Sequence, residues 1–388
     1  MRVVRRRAQA NWRVSILFHA LLICFMTSAA LGASWVTKQR SVTQVANGVY
    51  VIIHRDAVIE GIPQGNTTVI IGDRSVLVVD ACFLTASAKE DIAEIRRLTT
   101  KPVRYLLNTH AHLDHTAGNS AYKQEFPEVE IIAQTATGSF MDAANRGAAK
   151  GIGDPNGRPA SVILPMLRKQ LQEGVNDEGK PLSVEEKDLL VRQVADVENE
   201  IADYRKFVYQ PPTLLFSDEL MVDLGNRNVD VKHLGRGHTP GDALAYLPQE
   251  KILITGDLLT WPIPYMRMSF PQEWVKVLRQ MDQMDATTIV PGHGIILNDK
   301  DYLNEVIALL DSVISQVHQQ AAALSPDPRM KILKVEDLHI DLEKFRKSMA
   351  GNDPSNNEFW GSIVDPGMIG GENQGVVGRT FAEELGKL

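Results

Sequence analysis

Cysteine is scarce: Cys24 and Cys82 are the two in 388 residues. That excludes a disulfide framework, and once a leader is removed near residue 33 only Cys82 is left, so no internal disulfide can form. A single thiol after a strand reads as a buried small hydrophobe rather than a nucleophile. Acidic residues are missing from positions 1–33, which carry Arg2, Arg5, Arg6, Arg7 and Arg13. The remainder holds 36 basic against 48 acidic residues, a net charge of −12 where the whole chain has −7. A surface that acidic repels phosphate backbones and anionic membranes, which argues against a nucleic-acid partner. Internal repeats are absent. The glycines at 370, 371, 375 and 378 follow no strand and have no P-loop lysine, so they do not indicate a nucleotide site.

Formal charge is also missing between Val14 and Thr37. Val14–Met26 is apolar apart from Ser15 and His19, and small residues follow from Thr27 to Ala33. A basic start, a short apolar run and small residues predict a secretory signal over 1–33, cut near Gly32 or Ala33. The expected location is periplasmic or secreted, with no stable membrane association after cleavage. An uncleaved N-terminal anchor is the alternative. Apolar residues make up 44% of the chain, ordinary globular composition, and the length suits two domains or one large domain with insertions.

Strands and helices alternate over the first part of the chain. Val49–His54, Thr68–Gly72, Ser75–Asp80, Val103–Asn108 and Glu128–Ala133 read as strands, with a Gly72-Asp73 hairpin turn and a helix over Ala88–Leu98. The character changes over 136–210. Gly147–Pro159 is a Gly-rich loop, and Ser183-x-x-Glu186 is a capping box opening a helix with the stripe Leu190, Val194, Val197, Ile201, Tyr204. This segment reads as a helical insertion. Strands resume at Asn228–Leu234, Ala243–Leu247, Lys251–Thr255 and Thr287–Val290, with a helix over Glu273–Met284. Tyr302, Val306, Leu309, Val313 and Val317 mark a long amphipathic helix. The division expected is a main domain over 42–300 interrupted by the insertion, then a C-terminal helical extension and tail over 301–388. Beyond 350 no periodicity is legible.

Five of the ten histidines fall in three short segments, each after a strand. The first is Asn108-Thr109-His110-Ala111-His112-Leu113-Asp114-His115. Residues two apart at a strand end point the same way, so His110 and His112 can share one metal, and after the turn Asp114 and His115 can face a second. The others are Gly237-His238-Thr239-Pro240-Gly241-Asp242 and Pro291-Gly292-His293-Gly294. Between them, Ile252–Gly256 is a buried-looking strand that delivers Asp257. Imidazoles and carboxylates suit zinc, and less selectively iron or manganese. Taken singly, Asp114 could be a helix cap, Asp257 a turn residue, and His238 or His293 satisfied turn histidines. Together they form a metal-ligating pattern. His54 and His233 read as packing or hydrogen-bonding residues, and His318 and His339 as surface residues.

The pattern resembles the metallo-β-lactamase-fold superfamily over roughly 45–300. The resemblance implies an α/β fold, an αββα sandwich with two metals at one edge between the sheets. It implies His110, His112 and His238 around the first metal, Asp114, His115 and His293 around the second, and Asp257 bridging both. Asp80, ending Leu77-Val78-Val79-Asp80, matches a family carboxylate that supports the ligand loop. The bridging Asp is similar to the glyoxalase II-like and lactonase branches. The zinc β-lactamases generally lack that bridge.

The activity expected is that of an exported dinuclear zinc hydrolase. A hydroxide shared by two Zn2+ ions would attack an ester, thioester or lactone-like small molecule, with Asp114 orienting it and Asp257 fixing the metal spacing. The alternatives are a zinc β-lactamase-like amide hydrolase, a mononuclear iron sulfur dioxygenase and a non-catalytic metal-dependent binding protein. After Asp257, Leu258–Phe270 contains two prolines and is expected to be an irregular loop, with Trp261 and Tyr265 lining the substrate mouth opposite the 136–210 insertion. The sequence sets no oligomeric state.

Overall fold

The structure is a computed structural model, and it describes residues 40–54, 64–148, 159–176, 179–267, 269–324, 338–352, 356, 360 and 375–384. The signal expected over 1–33 and most of the 147–159 loop lie outside them. Two sheets form the middle layers. The first contains β1 (Arg40–Ala46), β2 (Val49–His54), β3 (Thr67–Ile71), β4 (Val76–Val79), β5 (Val103–Leu107), β6 (Glu130–Gln134) and β7 (Leu214–Phe216), side by side in chain order. β1 to β4 are antiparallel hairpin neighbours, and β4 to β7 run parallel. The second sheet runs β12-β11-β10-β9-β8, from β8 (Glu219–Asp223), β9 (Asn228–Lys232), β10 (Leu244–Leu247), β11 (Ile252–Thr260) and β12 (Thr288–His293). Only β11 and β12 are parallel there.

Parallel neighbours need crossovers, and helices supply them. α1 (Thr85–Leu98) joins β4 to β5, and α2 (Leu113–Thr116) with α3 (Asn119–Glu125) joins β5 to β6. β6 and β7 are joined by the insertion: α4 (Thr135–Ala148), a π-helical turn at Pro159–Ile163, α5 (Leu164–Glu173) and α6 (Val184–Tyr204). α7 (Pro271–Gln283) joins β11 to β12. α8 (Asp301–Leu324), the short α9 (Glu343–Phe345) with the π-helical turn that follows it at Arg346–Ala350, and α10 (Gly375–Glu384) come after β12.

Side-chain alternation along the strands builds three apolar layers. Val49, Val51, Ile70, Leu77, Val79 and Ile132 face Val229, Val231, Ala245, Ile252, Ile254 and Val290 between the sheets. The alternate residues Ile52, Val69, Val78, Leu106 and Ile131 pack outward on Ile92 and Ile95 of α1 and Tyr122 of α3. Leu244, Leu253 and Ile289 pack outward on α7, α8 and α10. The architecture is therefore helix, sheet, sheet, helix, as the sequence led us to expect. The insertion has its own small core, where Leu167 packs with Leu190, Val197 and Ile201, and Ser183 and Glu186 make the reciprocal capping box.

Three expectations are corrected. Leu258, Leu259 and Thr260 are not loop: they continue β11, and the irregular segment begins at Trp261. The register of β11 against β12 breaks on both sides of Gly256, so Asp257 leaves from a bulge inside a strand rather than from a strand end. The tail beyond 350 also contains a packed helix, α10, with Val376, Val377, Phe381 and Ala382 buried. Its stripe is hidden in the sequence by Gly375, Gly378 and Thr380. Among the described residues no helix is long and apolar enough to cross a membrane.

Candidate metal centre

The carboxyl ends of parallel strands are where open α/β sheets gather functional groups. β4 ends at Asp80, β5 at the His110–His115 segment and β12 at His293. His238 comes from the connection between β9 and β10, and Asp257 from the bulge in β11. The structure brings all seven of these sequence-predicted donors together, with Asp80 behind them.

They form two sets. His110 Nε2 lies 3.1 Å from His112 Nδ1, which lies 3.0 Å from His238 Nε2. Asp257 Oδ2 is 3.7 Å from His110 Nε2 and 3.5 Å from His238 Nε2. In the second set His293 Nε2 is 3.0 Å from both His115 Nε2 and Asp114 Oδ2. His115 Nε2 lies 3.5 Å from Asp114 Oδ2 and 3.2 Å from Asp257 Oδ1, and His293 Nε2 lies 3.5 Å from Asp257 Oδ1. A metal held at ~2.0–2.1 Å by tetrahedral ligands separates them by about 3.3 Å, so both sets have the size of a zinc shell. Asp257 turns one oxygen to each.

The outward nitrogens fix which atoms face the centre. His115 Nδ1 donates to Asp80 Oδ2 at 2.8 Å, and His238 Nδ1 donates to the Tyr265 carbonyl at 2.9 Å. Thr109 Oγ1 donates to Asp80 Oδ2 and sits 3.1 Å from His110 Nδ1, which therefore donates to it. Each of these three imidazoles presents Nε2 inward, the arrangement that orients metal-ligating histidines. Asp257 Oδ1 and His293 Nδ1 are buried without a hydrogen-bond partner. Converging lone pairs and an unpartnered buried carboxylate oxygen are what a bound cation would satisfy, so the residues fit a metal pair.

Burial pushes His110 and His112 below the ordinary imidazole value and His238 down to about 4, favouring the neutral, metal-ligating form. Burial also lowers His115 and His293, but the neighbouring carboxylates outweigh it. Asp257, Asp114 and Asp80 hold His115 well above its usual value, and Asp257 and Asp114 hold His293 at about 9. Burial would raise Asp114 and Asp257, yet the adjacent imidazoles keep both well below the usual carboxylate range.

Several supporting residues were not picked out from the sequence. Asp242 holds the His238 turn, accepting from Gly237 N, Thr239 N and Thr239 Oγ1, and burial raises it to about 7. Asn66 splices the β12 end to the first sheet. Its N–H donates to the Gly292 carbonyl at 2.7 Å, and its Nδ2 to the carbonyls of Pro291 at 2.9 Å and Gly294 at 3.1 Å. Gly65 lies against the His115 ring: a Cβ there would sit 2.4 Å from Cε1. At Gly292 a Cβ would sit 2.0 Å from Asp257 Oδ1. The pairing that made Thr-x-x-Asp a turn lock at 239–242 was legible in principle, whereas backbone carbonyls and close approaches were not.

The substrate-mouth residues divide. Tyr265 stands at the centre, its ring centroid 6.4 Å from that of His112 and 5.6 Å from that of His238. Trp261 is 38% exposed and its N–H donates to the His293 carbonyl. Phe270, Ile263 and Met266 are buried and dock the segment on the core. Phe207, just after α6, packs with Phe83, Leu84 and Leu113, so the insertion reaches the start of α2, between His112 and Asp114.

A third buried group, His54, Cys82 and Asp91, also has metal-ligand chemistry. His54 Nε2 donates to Asp91 at 3.0 Å and Nδ1 to the Gly65 carbonyl at 2.7 Å, so both nitrogens are spent on hydrogen bonds. It is an ion pair, in line with the packing and hydrogen-bonding role expected of His54. His233 donates to the Asp242 carbonyl, while His318 pairs with Glu384 at the surface and His339 is exposed.

Comparison with known proteins agrees with the geometry. The chain is 23% identical over 304 residues to a linear primary-alkylsulfatase of Pseudomonas sp., covering 74% of this chain and 51% of that protein. It is 31% identical over 102 residues to the alkyl/aryl-sulfatase BDS1 of Saccharomyces cerevisiae, covering 25% of this chain and 15% of that protein. The chain thus spans about half the length of the first relative and less of the second. A solved metallo-beta-lactamase from Pontibacter korlensis is similar at 17% identity and a TM-score of 0.48, over 70% of this chain and 99% of that one. The family model of the metallo-beta-lactamase superfamily matches residues 61–293, which contain every donor of the centre. The chain belongs to the metallo-beta-lactamase superfamily.

Proposed function

We propose that this protein is a dinuclear zinc hydrolase of sulfate esters carried by alkyl or aryl alcohols. The observation that carries the reading is the pair of four-donor sets sharing Asp257, each the size of a zinc shell. His110, His112 and His238 with Asp257 Oδ2 would hold one ion, and Asp114, His115 and His293 with Asp257 Oδ1 the other. Two such ions supply a water of lowered pKa as nucleophile and neutralise charge on the reacting ester. Asp257 sets the separation of the two sets through one carboxylate. Asp114 is the more exposed carboxylate of the two and would orient the attacking water by accepting its hydrogen bond.

Sulfate ester is favoured over thioester, lactone or β-lactam by two observations. Two relatives bear alkylsulfatase or alkyl/aryl-sulfatase names, which speaks for the ester class. On the Tyr265 wall, the Arg267 guanidinium hydrogen-bonds the Tyr265 hydroxyl, which brings a cation and a phenol to the side where an anionic substrate would lie. Phe207 and Leu113, packed beside the His112–Asp114 segment, would supply apolar surface for an alkyl or aryl group.

The test is metal analysis of the purified chain, followed by hydrolysis of a linear alkyl sulfate, an aryl sulfate, a thioester, a lactone and a β-lactam. Two zincs per chain and release of inorganic sulfate are expected. One iron per chain with no ester turnover would replace this reading with the dioxygenase one. We further propose that the chain is exported through residues 1–33, so the mature N-terminus of secreted material should lie within a few residues of Ala33. An intact Met1 in the membrane fraction would mean an anchor instead.

A further inference from the structure

The segment that carries Tyr265 is fastened from behind by the tail helix. The Gly375 N–H, at the start of α10, donates to the Arg267 carbonyl at 3.1 Å. Arg379 Nε donates to the Ser269 carbonyl at 2.6 Å, and Glu383 Oε2 accepts the Gln272 N–H at 2.9 Å. The Arg379 guanidinium also lies over the Phe270 ring, 5.1 Å from its centroid, and that of Arg236 lies over the same ring at 4.2 Å. Arg236 is in turn paired with Glu273. The Phe270 N–H donates to the Gly237 carbonyl at 2.7 Å, one residue before His238. Two routes of direct contact therefore run from Arg379 to His238. One passes through Phe270 and Gly237, and the other through Ser269 and the chain to the Tyr265 carbonyl, which accepts from His238 Nδ1.

Covering the core does not require Arg379. Val376, Val377 and Phe381 already bury the apolar face of α10 on the layer beneath α7 and α8. A half-buried guanidinium committed to a loop carbonyl and an aromatic face spends side-chain freedom and hydration on holding that loop in one place.

We propose that Arg379 is a positioning residue: it holds the Tyr265 wall and, through Phe270, the orientation of the His238 imidazole. The proposal rests on the reading of His238 as a metal ligand. Loss of Arg379 would loosen the wall and one metal set while leaving the fold in place.

The experiment compares the full chain, loaded with zinc, with Arg379→Gln and Arg379→Lys. Amide hydrogen exchange is read in peptides covering 237–238 and 265–270, with α6 as the internal control. Zinc release is read against increasing chelator, and KM and kcat on an alkyl sulfate are read separately. For Arg379→Gln, exchange in the two peptides should rise about tenfold with α6 unchanged, the loss of one charge-assisted hydrogen bond. One of two zinc equivalents should leave at about tenfold lower chelator, and KM should rise more than kcat falls. Arg379→Lys, which keeps a cation over Phe270, should recover part of each change. Unchanged exchange and an unchanged chelator curve, with only a lower Tm, would overturn the proposal and make α10 a core cover. If Arg379→Gln does not fold, Arg379→Lys and Phe270→Leu are read in the same way, and wild-type exchange in both would overturn it equally. A wild-type chain that binds no zinc shows that the two-metal reading has failed, while the exchange arm still decides this one.

Discussion

The clustering of the seven candidate donors was legible because metal ligands come from a short list of side chains, His, Cys, Asp and Glu, and because the spacing of these seven reflects strand ends. The residues that aim them were less so. Asn66 reaches Pro291 across 225 positions, and the partner of His238 Nδ1 is a main-chain carbonyl, which any residue at 265 would provide. Two substitutions separate these levels. Asp257→Asn removes one shared carboxylate charge, so turnover should fall at least ~100-fold while the chain still folds, measured as kcat beside metal content and a melting curve. Near-wild-type turnover with two metals bound would refute its bridging role. Gly65→Ala places a methyl against the His115 ring, where the close approach leaves no room. It should lower metal stoichiometry from two to one per chain without unfolding the first sheet. Tyr265→Ala keeps the carbonyl and loses the ring. KM should therefore rise or substrate preference change with both metals retained, and unchanged kinetics would place the pocket elsewhere.

Among the elements, the strands in the middle of each sheet and the buried edge strand β12 were readable from their apolar runs, and the edge strands β1, β7 and β8 were not. β1 is Arg-Ser-Val-Thr-Gln-Val-Ala with no fully buried residue, and β8 alternates only weakly, since an edge strand faces water on more than one side. One contact between elements has a measurable pH signature. His54 on β2 is bonded to Asp91 on α1, which also accepts from Arg40 and Thr67. Burial lowers the His54 value, but the Asp91 charge and hydrogen bond outweigh it and the net shift is upward. A raised folded-state value means that the pair stabilises fully below the unfolded imidazole value of ~6.5 and loses that contribution as pH rises through the folded value. The Tm deficit of His54→Gln should therefore be largest near pH 6 and shrink at alkaline pH. A deficit independent of pH would show that the imidazole contributes packing alone. Asp91→Ala strands a buried cation and should cost about 3–5 kcal/mol in chemical denaturation.

Across the whole molecule, the first sheet supplies His110, His112, Asp114 and His115, and the second supplies His238, Asp257 and His293. Metal bound at the centre would cross-link the sheets and stabilise only the docked state. A free metal concentration 100 times its Kd should add about 2.7 kcal/mol, visible as a Tm that falls on chelation and returns with zinc. An unchanged Tm would mean that the ions are not held by both sheets. The layered fold itself was legible because αβ alternation leaves few ways to stack apolar faces. The docking of α10 was not, since its stripe is broken by glycines and its partners lie some 110 residues upstream. The seven-stranded sheet ends at Phe216 and the five-stranded one begins at Glu219, so the boundary between sheets is also a single cut in the chain. Neither side of that cut owns a complete set of donors, which makes the centre a coincidence detector for the two halves. An interface lesion away from the donors, at Val49 or Val229 for instance, should then register first as lost metal, while each half still keeps its own strands paired.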